Sequence, residues 1–208
     1  MLRAVLWDFG GVMTTSPFDA FNRYESERGL PHDLIRSINS VNHHTNAWAR
    51  LERSDITPAQ FDDEFAIEAA AAGHAVPGAD ILGLLNGDIR PEMVAALDSV
   101  KGAGYKVACL TNNVIGDSSD QRPQRITDVF SRFDVIVESS KIGVRKPEPR
   151  FYEVACELLG VTPPECVFLD DLGINLKPAA AMGITTIKVT SADQAIAELS
   201  KVLELSIS

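Results

Sequence analysis

The first apolar stretch of the chain, Leu2–Val12, reads L-R-A-V-L-W-D-F-G-G-V. Its apolar run ends abruptly at Asp8, and Gly10 and Gly11 follow closely. A buried strand that ends in a carboxylate and a glycine turn places that carboxylate at the edge of a sheet, where a nucleophile or a metal ligand is useful. A helix cap at Asp8 would give the same local pattern, so the rest of the chain has to distinguish the two.

Four later segments share the short, apolar and β-branched character of this first strand, Leu2–Trp7. They are Lys106–Leu110, Asp134–Val137, Cys166–Leu169 and Thr185–Val189. Their apolar residues are largely continuous, which is typical of parallel strands that are covered on both faces. Helical patterns lie between them, from Pro91 to Gly102 or Gly104, over Pro149–Leu159 and Leu176–Met182, and from Ser191 onward. This alternation predicts an α/β fold with a Rossmann-like, doubly wound parallel sheet.

The segment from Phe18 to Gly87 interrupts this alternation, because it contains no convincing strand pattern. Thr57-Pro58-Ala59-Gln60 has the pattern of a capping box, which commonly begins a helix. The apolar residues that follow it at helical spacing are Phe61, Phe65 and Ala69. We therefore expect a catalytic core made of residues 1–16 and 88–208, with a helical cap of residues 17–87 inserted after the first strand.

The composition of the 208 residues narrows the possible partners. The formal net charge is −10 and the pI is about 4.8, whereas nucleic acids and anionic membranes require basic surfaces. The three cysteines lie far apart and predict no disulfide framework. The first apolar run is too short for a signal peptide. We therefore expect a cytoplasmic protein that acts on a small molecule, and the sequence leaves its oligomeric state open.

Polar side chains follow the predicted strands at the point where each strand ends. Thr111 and Asn112 follow the second strand, Asp170 and Asp171 follow the fourth, and Lys146 lies in a loop before a helix. Because ligands of parallel sheets bind beyond the carboxyl ends of the strands, we expect these side chains to meet Asp8 at one edge.

The expected arrangement combines phosphate-binding groups with metal ligands. A hydroxyl, an amide and an ammonium group that converge on one point suit a phosphate dianion. Three carboxylates would repel one another unless a hard cation lay among them, and an oxygen-rich shell suits Mg²⁺. A carboxylate nucleophile with Mg²⁺ and a lysine is a workable constellation for phosphoryl transfer through an aspartyl-phosphate.

Four ordered motifs resemble those of the haloacid dehalogenase-like hydrolase superfamily. They are Asp8-Phe9-Gly10-Gly11-Val12, Leu110-Thr111-Asn112, Lys146-Pro147-Glu148-Pro149 and Phe168-Leu169-Asp170-Asp171-Leu172-Gly173-Ile174-Asn175. The region from Val137 to Ala179 is especially similar to the N-terminal phosphatase domain of soluble epoxide hydrolases and to related acyl-CoA-dehydrogenase-linked domains. Some phosphatases of the superfamily also resemble this chain in having a glycine at the position of Gly10. The resemblance implies a Rossmann-like core with a helical cap after the first motif.

The resemblance also implies a role for each motif residue. Asp8 would be the nucleophile, Thr111 and Asn112 would hold the transferring phosphoryl group, and Lys146 would bind that group and neutralise its charge. The implied reaction is the hydrolysis of a small phosphomonoester, a phosphorylated metabolite, through an aspartyl-phosphate on Asp8.

The metal site and the departure from the family pattern both involve Gly10. Mg²⁺ would be ligated by Asp8, the carbonyl oxygen of Gly10 and Asp171, with Asp170 as a second ligand or an outer partner. Phosphatases of the superfamily usually carry an aspartate at the position of Gly10, where it protonates the leaving group and later activates water. The metal ligand therefore survives as a carbonyl, and the general acid/base does not.

Two alternatives follow from that departure. A pseudoenzyme would bind Mg²⁺ or a phosphorylated ligand without turnover. This hypothesis accounts for the glycine at position 10, because a protein without turnover needs no acid/base aspartate there. A 2-haloacid dehalogenase also lacks the second aspartate and uses the first one to displace halide without metal. The pair Asp170-Asp171 argues against the dehalogenase, because further carboxylates without a cation would oppose a carboxylate nucleophile electrostatically.

The predicted cap contains a polar run that suggests substrate contacts. Its members are His43, His44, Asn46, Trp48 and Arg50, and caps of such folds confer specificity by closing over the site. We expect Arg50 in particular to bind a second anionic or hydroxylated part of the substrate, with Trp48 and His44 beside it.

Overall fold

A computed structural model describes residues 1–114 and 123–207, so part of the predicted core range lies outside the described residues. Its five strands form one parallel sheet in the order β3-β2-β1-β4-β5. The strands are β1 (Ala4–Trp7), β2 (Lys106–Thr111), β3 (Val135–Glu138), β4 (Cys166–Asp170) and β5 (Thr185–Lys188). The predicted α/β fold is therefore confirmed, with the first strand at the centre of the sheet.

Eleven α-helices lie in the described part of the chain. Those before β2 are α1 (Pro17–Glu27), α2 (Leu34–Ser40), α3 (Ala47–Glu52), α4 (Pro58–Ala71), α5 (Gly78–Gly83) and α6 (Pro91–Gly102). Those after β2 are α7 (Gln124–Phe130), α8 (Ser139–Ile142), α9 (Pro149–Leu159), α10 (Gly173–Ala181) and α11 (Ala192–Leu203), with a short 3₁₀ helix at Pro163–Glu165. Of these described helices, none combines the length and the apolar character that crossing a membrane requires.

The central strand β1 is apolar at every position because it packs on two hydrophobic layers. Val5 and Trp7 belong to a core that includes residues of α6 and α11. Ala4 and Leu6 point the other way, into a core that includes residues of α9 and α10. All four residues are fully buried, as the alternating directions of strand side chains require for a sheet covered on both faces.

The start of α10 is the clearest difference from the predicted elements. The sequence predicts this helix from Leu176, whereas it begins one turn earlier, at Gly173. The Oδ1 atom of Asp170 accepts hydrogen bonds from the backbone N–H of Leu172 and from the side-chain amide of Asn175. The prediction was wrong because these polar residues read as a loop, while their bonds to the end of β4 hold them in helical geometry.

The helices α1–α5 build a hydrophobic core of their own. Phe61, Phe65 and Ala69 on α4 are fully buried in it, as predicted, and Thr57 and Gln60 form the predicted capping box. The two chain connections to the sheet run side by side, because Thr14 and Ile89 form an antiparallel bridge. Both connections lie near the carboxyl end of β1, so the helical segment is placed over the edge that carries Asp8.

Candidate active site

The carboxyl ends of the three central strands bring the predicted site residues to one edge of the sheet. β1 pairs with β2 on one side and with β4 on the other, with Trp7 level with Cys109 and Leu169. Asp8 follows β1 directly, while Thr111 and Asp170 are the last residues of β2 and β4. This is the crevice of an open parallel sheet, where the strand order reverses around β1.

Lys146 reaches this edge from the loop between α8 and α9. Its side chain is 1% exposed, and its Nζ lies 2.6 Å from Oδ1 of Asp8 and 2.8 Å from Oδ2 of Asp170. Burial alone would lower the pKa of Lys146, but the carboxylates of Asp170 and Asp8 outweigh it and raise the pKa above its ordinary value. The lysine is therefore a fixed positive charge between two carboxylates.

The three aspartates form a cluster that fits a divalent cation. Asp8, Asp170 and Asp171 each offer a carboxylate oxygen, and these atoms lie within 4.8 Å of one another. Burial raises the pKa of Asp8, and Asp170 and Asp171 raise it further against the effect of Lys146. One ammonium group does not balance the charges of three carboxylates this close together, and hard oxygen donors of this kind are the ligands of Mg²⁺.

Asp170 and Asp171 differ in how much of their coordinating capacity is free. Both oxygens of Asp170 accept hydrogen bonds, from Lys146, Asn175 and the backbone of Leu172. Asp171 is half-buried and lines the cavity described below. Burial and the charge of Asp170 raise the pKa of Asp171 to about 6. Asp171 is thus the freer ligand, whereas Asp170 orients the lysine.

The two glycines of the first motif have different surroundings. Gly11 has a φ of +77°, and a Cβ at this position would overlap the carboxylate of Asp171. Gly10 has no atom within 4 Å of an added Cβ and no positive φ. Glycine is therefore required at position 11 by the backbone and by the metal-ligand candidate, while position 10 has open space.

The side chain of Asn112 holds the lysine loop. Its Oδ1 accepts from the backbone N–H of Lys146 at 2.9 Å, and its Nδ2 donates to the carbonyl of Lys146 at 2.9 Å and to Glu52 at 3.2 Å. The sequence suggested that Asn112 holds the phosphoryl group, but these contacts occupy its amide. Thr111, which is buried, lines the cavity beside it.

A cavity of about 840 Å³ opens from this edge towards α1–α5. Asp8, Gly10, Thr111, Lys146 and Asp171 line its base. Its walls are mainly apolar, and they include Phe18, Phe21, Trp48, Leu85, Ile126 and Phe130. Its size is that of a site for an organic molecule considerably larger than a phosphate ion.

The structure places the predicted cap residues unequally. Trp48 lines the cavity, and so does His43. His44 is exposed and lies outside the lining, with its ring tilted against the His43 ring. Arg50 also lies outside it, where its guanidinium pairs with Glu64 of α4 at 2.5 Å. The structure gives no support for a substrate contact by Arg50, because the carboxylate of Glu64 on α4 already pairs with its side chain.

Two residues at the cavity, Glu52 and Arg145, were given no role from the sequence. Glu52 and Arg145 both line it, and the Nε of Arg145 lies 2.5 Å from Oε2 of Glu52. Arg145 directly precedes Lys146, and this position was a usable signal. Glu52 gave none, because a glutamate at a helix end resembles any surface glutamate until the fold buries it.

Comparison with known proteins identifies the family of this chain. A sequence model described as haloacid dehalogenase-like hydrolase matches residues 2–183. The chain belongs to this family. The resemblance seen in its four motifs is therefore confirmed, and the protein is a haloacid dehalogenase-like hydrolase whose motif residues meet at one edge of the sheet.

Three relatives of this haloacid dehalogenase-like hydrolase match 97% of its length. Mouse acyl-CoA dehydrogenase family member 10 is 34% identical and mouse bifunctional epoxide hydrolase 2 is 32% identical. The chain spans only 19% and 39% of the length of these two relatives. The sesquiterpene phosphatase astK of Aspergillus oryzae is 28% identical, and the match covers 96% of that protein.

Solved structures share the fold of this haloacid dehalogenase-like hydrolase. A family member from Bacteroides thetaiotaomicron, solved in complex with magnesium and inorganic phosphate, superimposes with a TM-score of 0.60. The match covers 90% of this chain and 94% of that protein at 23% identity, which establishes a common fold.

Proposed function

We propose that this protein is a Mg²⁺-dependent phosphatase that hydrolyses a phosphomonoester through an aspartyl-phosphate on Asp8. One observation carries the proposal: Lys146 is buried between Asp8 and Asp170, beside the freer carboxylate of Asp171, at the base of a cavity. A permanently charged lysine next to a carboxylate nucleophile suits a reaction in which negative phosphoryl oxygens approach that nucleophile. The magnesium and phosphate bound by the related Bacteroides enzyme support the same reading.

The residues divide the reaction between them in two steps. Oδ1 of Asp8 is held by Lys146 and by the backbone N–H of Phe9, while Oδ2 receives no hydrogen bond from the described residues and is available for attack. In the first step Oδ2 bonds to phosphorus, the bond from phosphorus to the alcohol oxygen breaks, and the alkoxide takes a proton from water. In the second step the oxygen of a water molecule bonds to phosphorus and the bond from phosphorus to Oδ2 of Asp8 breaks, which restores the carboxylate. The proton that this water loses neutralises the hydroxide left by the first step, and free phosphate departs.

The Mg²⁺ ligands proposed are Asp8, Asp171 and the carbonyl oxygen of Gly10, with Asp170 oriented towards Lys146 instead. When bound, the cation would supply charge that stabilises the phosphoryl oxygens and lowers the repulsion among the carboxylates. Thr111 is proposed to donate its hydroxyl to the phosphoryl group, and Lys146 to bind that group directly.

Gly10 sets the limit on the rate. No side chain at position 10 can protonate the leaving oxygen or activate water, a contribution that is typically about 10²–10⁴-fold. We therefore expect slow turnover of alkyl phosphates and faster turnover of phosphates whose leaving alcohol is acidic. Complete absence of turnover with retained ligand binding would support the pseudoenzyme instead.

The cavity favours a substrate with an apolar tail. Aromatic and aliphatic side chains of the cap, among them Phe18, Phe21 and Trp48, face the phosphoryl site across the cavity. Burial of apolar substrate surface against such walls is favourable by about 25 cal/mol per Å². The related sesquiterpene phosphatase supports the same choice, because its name describes a hydrocarbon substrate class. The partner proposed is thus a phosphorylated hydrophobic alcohol.

The division into a core of residues 1–16 and 88–208 and a cap of residues 17–87 is part of this proposal. Two facts support it: the helices α1–α5 have a hydrophobic core of their own, and the two connections to the sheet lie side by side. A cap of this kind closes over bound substrate and excludes water from the phosphoryl group.

The decisive experiment is a phosphate-release screen with and without chelator. The substrates are a terpenyl phosphate, a sugar phosphate, a nucleoside monophosphate and p-nitrophenyl phosphate, each tested with Mg²⁺ and with EDTA. We expect Mg²⁺-dependent release, greatest for the apolar phosphates, and a loss of about 10³-fold or more in Asp8→Asn. Phosphate release by Asp8→Asn at the rate of the unaltered protein would contradict the assignment of Asp8 as the nucleophile. Halide release from a 2-haloacid without any phosphate release would establish the dehalogenase instead.

A further inference from the structure

A buried carboxylate of the cap touches the phosphate-site residues of the core. Glu52, the last residue of α3, is 6% exposed although it is charged. Its Oε1 accepts from the indole N–H of Trp48 at 2.9 Å, and its Oε2 accepts from Nε of Arg145 at 2.5 Å and from Nδ2 of Asn112 at 3.2 Å. A buried carboxylate is costly to leave without hydrogen-bond donors. Glu52 therefore keeps its three donors in fixed positions.

The partners of Glu52 lead directly to the nucleophile. The amide of Asn112 that donates to Glu52 also bonds both the N–H and the carbonyl of Lys146. Lys146 in turn contacts Asp8 through its Nζ. A chain of contacts thus runs from the cap through Asn112 to the ammonium group beside the attacking carboxylate.

Further contacts fasten the same end of α3 to the same core segment. The Ser54 hydroxyl donates to the carbonyl of Ser140 at 3.0 Å, and Arg53 lies 3.7 Å from the carboxylate of Glu148. Arg145, whose Nε bonds Glu52, also donates from Nη1 to the carbonyl of His43 in the cap. The end of α3 therefore contacts the segment from 140 to 148 at three residues, and Lys146 lies within that segment.

We propose that Glu52 is a positioning residue for phosphoryl transfer, which couples the seated cap to the placement of Asn112 and Lys146. The proposal rests on the proposed function, because it assigns Lys146 the phosphoryl group. With Glu52 in contact, the Asn112 amide is anchored on the cap side and keeps the Lys146 backbone in place. Loss of the Glu52 contact would remove this carboxylate from Asn112 and Arg145 and leave the lysine loop freer to move.

The test compares Glu52→Gln with the matched control Glu64→Gln. The control removes a cap ion pair of the same length, Arg50 to Glu64, which touches neither Asn112 nor the lysine loop. The first readout is the hydrogen-exchange rate of the Lys146 amide, which is bonded to Asn112, measured by ¹⁵N NMR. We expect exchange at least about tenfold faster in Glu52→Gln and unchanged exchange in Glu64→Gln.

The second readout separates positioning from mere folding. With the best phosphate ester from the screen, we expect kcat to fall about tenfold or more in Glu52→Gln while KM changes by less than about threefold. A residue with only a structural role would lower the melting temperature and leave kcat of the folded enzyme unchanged. Wild-type exchange at Lys146 together with wild-type kcat would overturn the proposal.

The exchange measurement does not depend on turnover. If the wild-type protein released no phosphate from any ester, the proposed function would fail, while Lys146 exchange would still decide whether Glu52 fixes the lysine loop. If Glu52→Gln did not fold, Arg145→Lys would test the same junction from the core side, because lysine cannot bond Glu52 and the His43 carbonyl together as Arg145 does. Faster exchange at Lys146 would support the coupling, and wild-type exchange would refute it.

Discussion

At the residue scale, the space beside Gly10 makes a direct test of the missing acid/base possible. An added Cβ meets nothing within 4 Å, so the backbone of Gly10 accepts the first atom of a side chain beside the nucleophile. We predict that Gly10→Asp raises kcat for an alkyl phosphate by at least about tenfold, which is part of the 10²–10⁴-fold that proton catalysis typically contributes. Steady-state phosphate release measures it, with Gly10→Ala as the control that fills the space without a carboxyl group.

Gly11, unlike Gly10, has no space for a side chain. Alanine at this position meets a positive φ, which costs about 1–2 kcal/mol, and its Cβ overlaps the Asp171 carboxylate. The variant Gly11→Ala is therefore expected to bind Mg²⁺ more weakly, whereas Gly10→Ala is not.

For the Gly10→Asp prediction, an increase in kcat with Gly10→Ala equal to that with Gly10→Asp would contradict the acid/base explanation of the gain.

The raised pKa of Asp171 predicts how the metal site responds to acid. Burial and the charge of Asp170 place this pKa at about 6, so the carboxylate is ionised above that pH and takes up a proton below it. Because a proton competes with the cation, Mg²⁺ affinity is retained above pH 6 and lost as the pH falls. We expect binding at least about tenfold weaker near pH 5 than near pH 7.5.

Isothermal titration calorimetry at several pH values measures this dependence. Asp171→Asn serves as the control, since an amide neither titrates nor carries the charge that attracts Mg²⁺. Its binding should be weak throughout the range and vary less with pH. Equal Mg²⁺ affinity of the unaltered protein near pH 5 and near pH 7.5 would contradict the role given to Asp171.

At the scale of the elements, α4 is the helix on which the cap core is built. Phe61 is fully buried on one face of α4, while Ile67 on the opposite face is 69% exposed. We predict that Phe61→Ala lowers the free energy of unfolding by about 3–5 kcal/mol, because it leaves a cavity among aromatic neighbours. Ile67→Ala removes no buried contact and is expected to change it by less than about 0.5 kcal/mol.

Urea denaturation followed by circular dichroism compares the two variants. If the cap unfolds separately from the core, Phe61→Ala will shift a first transition and leave a second one unchanged, and two-state analysis will not apply. Equal stability of the two variants would show that α4 is not the centre of the cap core.

At the scale of the whole molecule, the cavity between core and cap predicts a dependence on substrate length. Each methylene group buried against the apolar walls contributes about 0.8 kcal/mol, or a factor of about three to four. We expect kcat/KM for straight-chain alkyl phosphates to rise by up to this factor per added carbon and to level off once the cavity of about 840 Å³ is full. A flat series from ethyl to decyl phosphate would contradict the apolar substrate class.

A variant of the cavity wall distinguishes contacts with the alkyl tail from binding of the phosphate group in the series of alkyl phosphates. Phe21 lies in the cap core and lines the cavity, so Phe21→Ala is expected to flatten the rise of kcat/KM with length. Binding of inorganic phosphate, which has no tail, should change little. Equal losses for every alkyl phosphate and for phosphate would indicate a general disturbance of the site rather than a loss of tail contacts.

Much of the architecture is readable from local pattern alone. Short apolar or β-branched runs identified all five strands. Apolar continuity is clearest in β1, β2 and β4, because parallel strands buried on both faces carry apolar residues in both directions, whereas the edge strand β5 is partly exposed. The order of the motifs then placed Asp8, Thr111 and Asp170 at strand ends, and a parallel sheet gathers such ends at one edge. The early start of α10 was missed because its first turn depends on bonds to Asp170 from another element.

The first strand and the residues after it illustrate where sequence information ends. The sequence by itself indicated the family, the parallel sheet and the convergence of Asp8 with Lys146 and Asp170, whereas the central position of β1 is known only from the structure. The first three follow from short-range patterns that every chain segment carries by itself. Only the tertiary structure decided that Asp170 is saturated, that Arg50 pairs inside the cap, and that Glu52 reaches Asn112. Those contacts join residues distant in sequence, and burial and pairing at such a distance arise only when the cap packs on the core.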